Sequence, residues 1–257
     1  MTAKAVDKTL IFIPTYNERE NIMEMANQLL ALPFTKDLLF IDDQSPDGTG
    51  EILDQLAAKY SNLHVLHRSG KLGIGTAHQA GMRWAYQQGY ARFISMDCDF
   101  THSPVDIERF IAASTSADIV VGSRYMHNSS LSTWNHYRRF LTRLGHFATG
   151  LFLGMPYDST GSFRLYQLDQ IDVRFLDLVH APGYSFFFES LFILHENGYQ
   201  IVEVSTNLPA RMYGHSKMKL SDIAFSVKQL ARLLVVRTFM PTRLRLKSQV
   251  FKTGVGN

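Results

Sequence analysis

Along its first half the chain alternates between two hydrophobic rhythms. Leu10-Ile11-Phe12-Ile13, Leu38-Leu39-Phe40-Ile41, Leu63-His64-Val65-Leu66, Phe93-Ile94-Ser95-Met96 and Ile119-Val120-Val121-Gly122 are runs of strand length, rich in β-branched and aromatic residues. Between them residues 20–32, 50–60, 76–88 and 104–113 carry apolar positions at helical spacing. Continuous rather than alternating apolar strands are strands buried on both faces. The pattern therefore predicts an α/β fold, a Rossmann-like, mainly parallel sheet with helices on both faces.

The second half is less regular. It predicts a helix over 134–153, a strand over 161–166, a helix over 185–197 closed by Gly198, and a strand over 200–205. Residues 219–239 are amphipathic, with Ile223, Val227, Leu230, Leu233 and Leu234 on one side, and Pro241 and the basic Arg243, Arg245, Lys247 and Lys252 follow. Two readings of that segment stay open: a helix for a membrane surface or partner, or one packed on its own domain with a solvated tail. The expected division is a catalytic domain over 1–218 and a C-terminal amphipathic helix and basic tail over 219–257, with no transmembrane segment.

Composition narrows the class. With 257 residues, 46% hydrophobic and 19% charged, the chain is long enough to bury one large core. A net charge of +3 suits an anionic substrate or a membrane surface and is far too small to coat a nucleic acid. A single cysteine, Cys98, excludes an internal disulfide and fits a reducing, cytoplasmic setting. The first eight residues lack a secretory signal, and no apolar run approaches the roughly 20 residues a spanning helix needs.

Polar residues gather just after the strand ends: residues 14–18, Asp42-Asp43, residues 68–71, Asp97-Cys98-Asp99 and Ser123-Arg124. In open α/β sheets that carboxyl edge binds ligands, so all five clusters are expected to face one cleft. Asp97 and Asp99, two residues apart at a strand mouth, can share a hard divalent cation that in turn holds a diphosphate. The alternative is that one caps the following helix and the other is solvated. Asp43 is the candidate for a nucleoside contact, whereas Ser45, Asp47 and Thr49 read as a turn with a helix cap. Gly70-Lys71-Leu72-Gly73-Ile74-Gly75-Thr76 offers backbone N–H groups and Lys71 to phosphate oxygens, or else forms a tight turn or lid. It matches neither a Walker loop nor the dinucleotide fingerprint. Arg138 and Thr142, one helical turn apart, can grip a phosphate together, and Arg124, Arg211 and Lys217 stand in two further polar clusters.

Taken together, residues 13–18, 41–49, 70–77, 96–99, 122–125, 160–166 and 213–217 resemble the dolichol/polyprenol-phosphate mannosyltransferases of glycosyltransferase family 2. The likeness runs in order over roughly residues 10 to 220. It implies a GT-A fold, GDP-mannose as donor, a polyprenyl or dolichyl phosphate acceptor, and inversion to a β-mannosyl phosphate lipid. It also implies that Pro14, Tyr16, Glu18, Ile41 and Asp43 contact the nucleoside, and that Asp97 and Asp99 hold Mg²⁺ or Mn²⁺. Arg124, Arg211 and Lys217 would meet phosphates, and Arg138 and Thr142 would help seat the acceptor phosphate.

Three positions depart from the pattern. Cys98 replaces the usual Ala, Thr101 stands where relatives often offer Gln to the metal, and the spanning tail of many relatives is missing, as in soluble catalytic subunits that lean on small membrane partners. An acceptor phosphate is already ionised near neutral pH, so no general base is expected, and neither Glu189 nor His102 is nominated as one. Asp97, Asp99, Arg211 and Lys217 would stabilise the leaving group while Arg124 and Arg138 position the nucleophile. Two alternatives are carried: the same fold using UDP-glucose or another nucleotide sugar, and a catalytically weak nucleotide-sugar-binding subunit of a membrane complex.

Overall fold

The computed structural model describes residues 8–126, 136–207 and 220–246. Within them β1 (Thr9–Thr15), β2 (Asp37–Asp42), β3 (Leu63–His67), β4 (Arg92–Ser95), β5 (Ile119–Ser123), β6 (Arg164–Gln167) and β7 (Ile201–Ser205) form one sheet. The strand order is β3-β2-β1-β4-β6-β5-β7. Every pairing is parallel except those of β6, which runs antiparallel to both β4 and β5. The chain winds outward from β1 to β3 and then returns past β1 to β4. The strand order thus reverses beside β1, and the carboxyl ends of β1, β2 and β4 open on the crevice there.

The continuous apolar strands feed two cores, one on each face. Leu10 and Phe12 of β1 point into one, and Ile11 and Ile13 into the other. Helices α1 (Arg19–Leu30), α2 (Thr49–Lys59) and α4 (Asp106–Ala113) cover the second face with Ile22, Met25, Leu29, Leu53, Leu56, Ile107 and Phe110. Helices α3 (Ile74–Gln87), α6 (Phe175–Leu178) and α7 (Phe186–Glu196) cover the first. The five early strands and four helices fall where the hydrophobic rhythm places them. Strand β6 starts later than expected, at Arg164, and α6, a single turn, carries no periodic signal.

The expectation for the C-terminal helix changes more. Helix α8 (Leu220–Phe239) lies on α5 (His136–Leu153), and its apolar residues split between two sides. Leu233 is buried in the first core, with Leu230 and Val236 packed against it, and Leu244 beyond the helix joins them. Val227 and Phe239 instead face outward, 63% and 75% exposed. On α5, Phe140, Leu144, Phe147 and Leu151 recur at helical spacing along an exposed stripe. No helix among the described residues is long and apolar enough to cross a membrane.

Helix α3 approaches the sheet so closely that a Cβ on Gly81 would lie 2.8 Å from the Phe12 ring. Gly81→Val should therefore cost about 1–3 kcal/mol by overpacking, read as a lowered thermal midpoint. Gly145→Ala is the control: its Cβ meets nothing within 4 Å inside α5, and it should gain about 0.5–1 kcal/mol from helix propensity.

Candidate active site

The crevice is a cleft of about 400 Å³ lined by residues from several strand ends: Pro14 and Thr15 at the end of β1 with Tyr16 and Glu18 after it, Asp43 after β2, Lys71 before α3, and Asp97, Cys98 and Asp99 after β4. Sharp turns put them there. Asn17, Gln44 and Phe100 have φ of 55°, 54° and 59° and are the non-glycine residues with positive φ among the described ones. Each turns the chain back beside one of these three strand ends, and side chains lock the turns. The Asp42 carboxylate accepts from Ser45 N–H at 3.0 Å and from its hydroxyl at 2.5 Å, while Asp99 Oδ1 accepts from Thr101 N–H at 3.1 Å and its hydroxyl at 2.6 Å. Ser45 Oγ accepts from Asn17 N–H at 2.9 Å.

The adjacent acids therefore divide their work. Asp42 is buried structure, whereas Asp43 borders the cleft. Arg68 holds Asp43 through two 2.6 Å bonds and also reaches Thr76 Oγ1 at 2.8 Å. Ser45, Asp47 and Thr49 act as caps, as the sequence suggests, but chiefly across elements. Besides Ser45 to Asn17, Thr49 Oγ1 accepts from Glu18 N–H at 3.0 Å and Asp47 Oδ2 from Arg19 N–H at 3.1 Å, so this turn caps α1.

Asp97 and Asp99 both line the cleft. The backbone N–H of Asp97 donates to His102 Nδ1 at 3.0 Å, which leaves the ring proton on Nε2. His102 stacks on Phe163 with centroids 4.9 Å apart, and Phe163 on Phe110 at 4.2 Å, so the acidic turn is anchored in the second core. Thr101 is buried and gives its hydroxyl proton to Asp99, so it orients that carboxylate. Among the described residues no three His, Cys, Asp or Glu side chains gather as a cage. Two carboxylates opening on a cleft fit a cation completed by phosphates and water.

The glycine-rich turn is built for contact with protein. The N–H groups of Gly75 and Thr76 both donate to Pro182 O, at 2.8 and 3.2 Å. A Cβ on Gly73 would lie 2.4 Å from Pro182 O and one on Gly75 2.6 Å from Ala181 O. Of the two readings of this segment the tight turn holds for Gly75 and Thr76, because a carbonyl already takes their amides at the helix N-terminus. Lys71 does border the cleft, its ammonium 4.3 Å from the Tyr16 ring centroid.

The other expected residues are placed unevenly. Ile41 is fully buried in the first core beneath the cleft. Arg124 stands apart from the lining, its guanidinium bound to Asp158 at 2.7 and 2.5 Å and its backbone N–H to the same carboxylate at 3.0 Å. Burial alone would push the Asp158 carboxyl up, but Arg124 holds it below the ordinary value. Burial likewise opposes the charge on Arg124, and Asp158, Tyr125 and Asp97 outweigh it and raise its pKa. Tyr125 links this pair to α5: its hydroxyl donates to Thr142 O at 2.9 Å and its ring stacks on His146 at 4.0 Å. Arg138 lies in the first turn of α5 with its side chain outside the described residues, as do Arg211 and Lys217 entirely.

Gly183, Tyr184, Ser221 and Asp222 also line the cleft. They come from loop and helix-start positions without a motif, so nothing in the sequence marked them. Arg68 and Asp158 had a signal, a charge just past β3 and one ahead of β6, but only tertiary pairing shows what they hold.

Residues 10–189 match the family described as Glycosyl transferase family 2. The chain is 34% identical over 225 residues to the polyprenol monophosphomannose synthase of Mycolicibacterium smegmatis, covering 86% of this chain and 85% of that protein. It is 34% identical over 240 residues to the undecaprenyl-phosphate mannosyltransferase of Micrococcus luteus, covering 93% and 99%. Among solved structures, glucosyl-3-phosphoglycerate synthase from Mycobacterium tuberculosis, in complex with Mn²⁺, UDP and phosphoglyceric acid, superposes with a TM-score of 0.58. That match covers 91% of this chain and 79% of that one at 17% identity. Staphylococcus aureus TarS with UDP-GlcNAc gives a TM-score of 0.55 at 15% identity, covering 89% and 66%. These likenesses place the fold as GT-A.

The Arg124–Asp158 pair carries a pH signature. A carboxylate whose folded pKa lies below its unfolded value contributes stability in full above about pH 3.8, and that contribution is lost as the pH falls through the folded value. Asp158→Asn, which strands a buried guanidinium, should cost about 3–5 kcal/mol. The gap between wild type and variant, followed by denaturant unfolding at successive pH values, should narrow only below pH 3.8.

Proposed function

The chain belongs to glycosyl transferase family 2, and from that premise we propose that it transfers mannose from GDP-mannose to a polyprenyl or dolichyl phosphate, with inversion, giving a β-mannosyl phosphate lipid. The observation that carries the reading is the charge of the cleft. Among the described residues Glu18, Asp43, Asp97, Asp99 and Asp222 line it beside Lys71, and Arg68 binds Asp43. A pocket so anionic repels a bare diphosphate. It accepts one that arrives with a divalent cation, and Asp97 and Asp99 are the residues to hold Mg²⁺ or Mn²⁺, with Thr101 and His102 fixing the acidic turn that presents them. The identity of the two mannosyl-transferring relatives over most of their length supports the sugar and the acceptor class.

The reaction needs no proton abstraction, because the acceptor phosphate is ionised near neutral pH. One of its oxygens forms the bond to the anomeric carbon from the face opposite the donor phosphate, while the bond to that phosphate breaks and its electron pair leaves on GDP. The cation, when bound, offsets the charge that develops on the departing diphosphate. Pro14, Tyr16, Glu18 and Asp43 would seat the nucleoside, and Lys71, Cys98, Arg211 and Lys217 would lie along the donor's sugar and phosphates. Chain re-emerging from the 208–219 segment reaches the cleft at once, at Ser221 and Asp222, which supports that placement of Arg211 and Lys217. Arg124, Arg138 and Thr142 would receive the acceptor, because Tyr125 joins the first of them to α5.

The exposed stripe of α5, which starts beside those acceptor residues, supports seating on a membrane. Phe140, Phe147 and Leu151 stand more than half exposed beside exposed Arg143, a pattern suited to the cytoplasmic face of an anionic bilayer, with or without small membrane subunits.

Purified protein with labelled GDP-mannose, Mn²⁺ and a short polyprenyl phosphate should form mannosyl phosphate lipid, and transfer from UDP-glucose alone would overturn the donor. Asp99→Ala should lower kcat/KM at least 100-fold even at saturating Mn²⁺. Arg138→Ala should raise the acceptor KM more than the donor KM.

A further inference from the structure

Glu189 of α7 is a buried carboxylate that the proposed reaction does not use. Its side chain is 1% exposed and absent from the cleft lining. Oε2 accepts from the backbone N–H of His180 at 3.1 Å and of Ala181 at 2.7 Å. Oε1 accepts from Arg232 of α8 at 3.3 Å. Both oxygens are thus committed to fastening one short stretch, residues 180–184, to two helices.

That stretch is the inner wall of the donor site. Its Pro182 carbonyl caps the first turn of α3, and Gly73 and Gly75 are shaped to let it approach. Its Gly183 and Tyr184 line the cleft beside Ser221 and Asp222 from the start of α8. A second tie, Ser185 Oγ to Ser226 Oγ at 3.0 Å, joins the same wall to α8. The wall contributes backbone and a ring to the cleft, so displacing it changes the cleft's width without removing any acidic residue.

We propose that Glu189 is a positioning residue for the donor: with Arg232 as its latch on α8, it sets the 180–184 wall against the glycine-rich turn and so fixes the nucleotide cleft. It acts through this wall and touches no reacting atom. Because Arg232 is 44% exposed on its own helix, the latch is an ion pair between the surface helix and the interior, and a shift of α8 on the domain is felt at the donor site. The inference rests on the proposed reading of the cleft as a nucleotide-sugar site, deepens it, and is separable from it by experiment.

The test uses full-length Arg232→Ala, Arg232→Lys and Glu189→Gln, with GDP–Mn²⁺ and UDP–Mn²⁺ binding measured by calorimetry, donor and acceptor KM, and amide hydrogen exchange of the 75–76 and 180–184 segments. Arg232→Ala should weaken nucleotide binding and raise the donor KM about three- to tenfold, with the acceptor KM unchanged and exchange faster in both segments. Arg232→Lys should restore most of the affinity, and Glu189→Gln, which turns an amide N–H₂ toward existing donors, should lose at least as much as Arg232→Ala. Unchanged nucleotide affinity in Arg232→Ala would overturn the inference, as would equal losses in donor and acceptor KM accompanied by a lowered folded fraction. Should the wild type bind nucleotide but transfer no mannose while the variants still lose affinity, the donor assignment fails and the positioning role stands.

Discussion

Everything in the cleft depends on three strand ends turning back sharply within a few residues. Neighbouring parallel strands β1, β2 and β4 end at one edge, and the acids that follow must point forward while the chain reverses toward the next helix. Asn17 tolerates a left-handed conformation well, but Gln44 and Phe100 pay for it at about 1 kcal/mol each or more. Hydrogen bonds donated by Ser45 N–H to Asp42 and by Thr101 N–H to Asp99 span the strained positions and offset that cost. The strain is thus bound up with the carboxylates: Asp99 both lines the cleft and holds its own turn, while buried Asp42 holds the turn that follows Asp43.

A second constraint is the close seat of α3. Its N-terminus, which in many nucleotide folds meets phosphate directly, is here closed by the carbonyl of Pro182. Glycines at 73 and 75 serve that protein–protein approach. On the proposed reading diphosphate recognition then falls to side chains and a cation, with Lys71 the basic residue among the described lining. Arg124, though cationic and close enough to Asp97 to feel its charge, is already committed to Asp158, so the charge it brings to this edge is balanced from within the fold.

Strands β1 to β5 and helices α1 to α4 could be read from the sequence because they obey two clean periods, and the place of Asp97 and Asp99 on the cleft could be read because they follow one of those strands at the sheet's carboxyl edge. Other features stayed hidden for physical reasons. The role of Gly75 depends on a backbone segment more than a hundred residues away, and glycine looks alike whether it admits a phosphate or a carbonyl. Helix α8 reads as amphipathic with one face, yet the structure uses Leu233 inward and leaves Val227 outward, because packing against α5 rather than the helical period decides which residues are covered. Tyr184 and Asp222 border the cleft by tertiary placement alone.

The crowding of Glu18, Asp43, Asp97, Asp99 and Asp222 around one space has a meaning for evolution as well as for binding. A chain selected only to persist would disperse such charges, since like-charge proximity weakens the folded state. On the proposed reading, a cation-bearing ligand that occupies this space would stabilise the fold by mass action, in proportion to how full the cell keeps the site. The persistence of the fold is in this way tied to the supply of what it consumes.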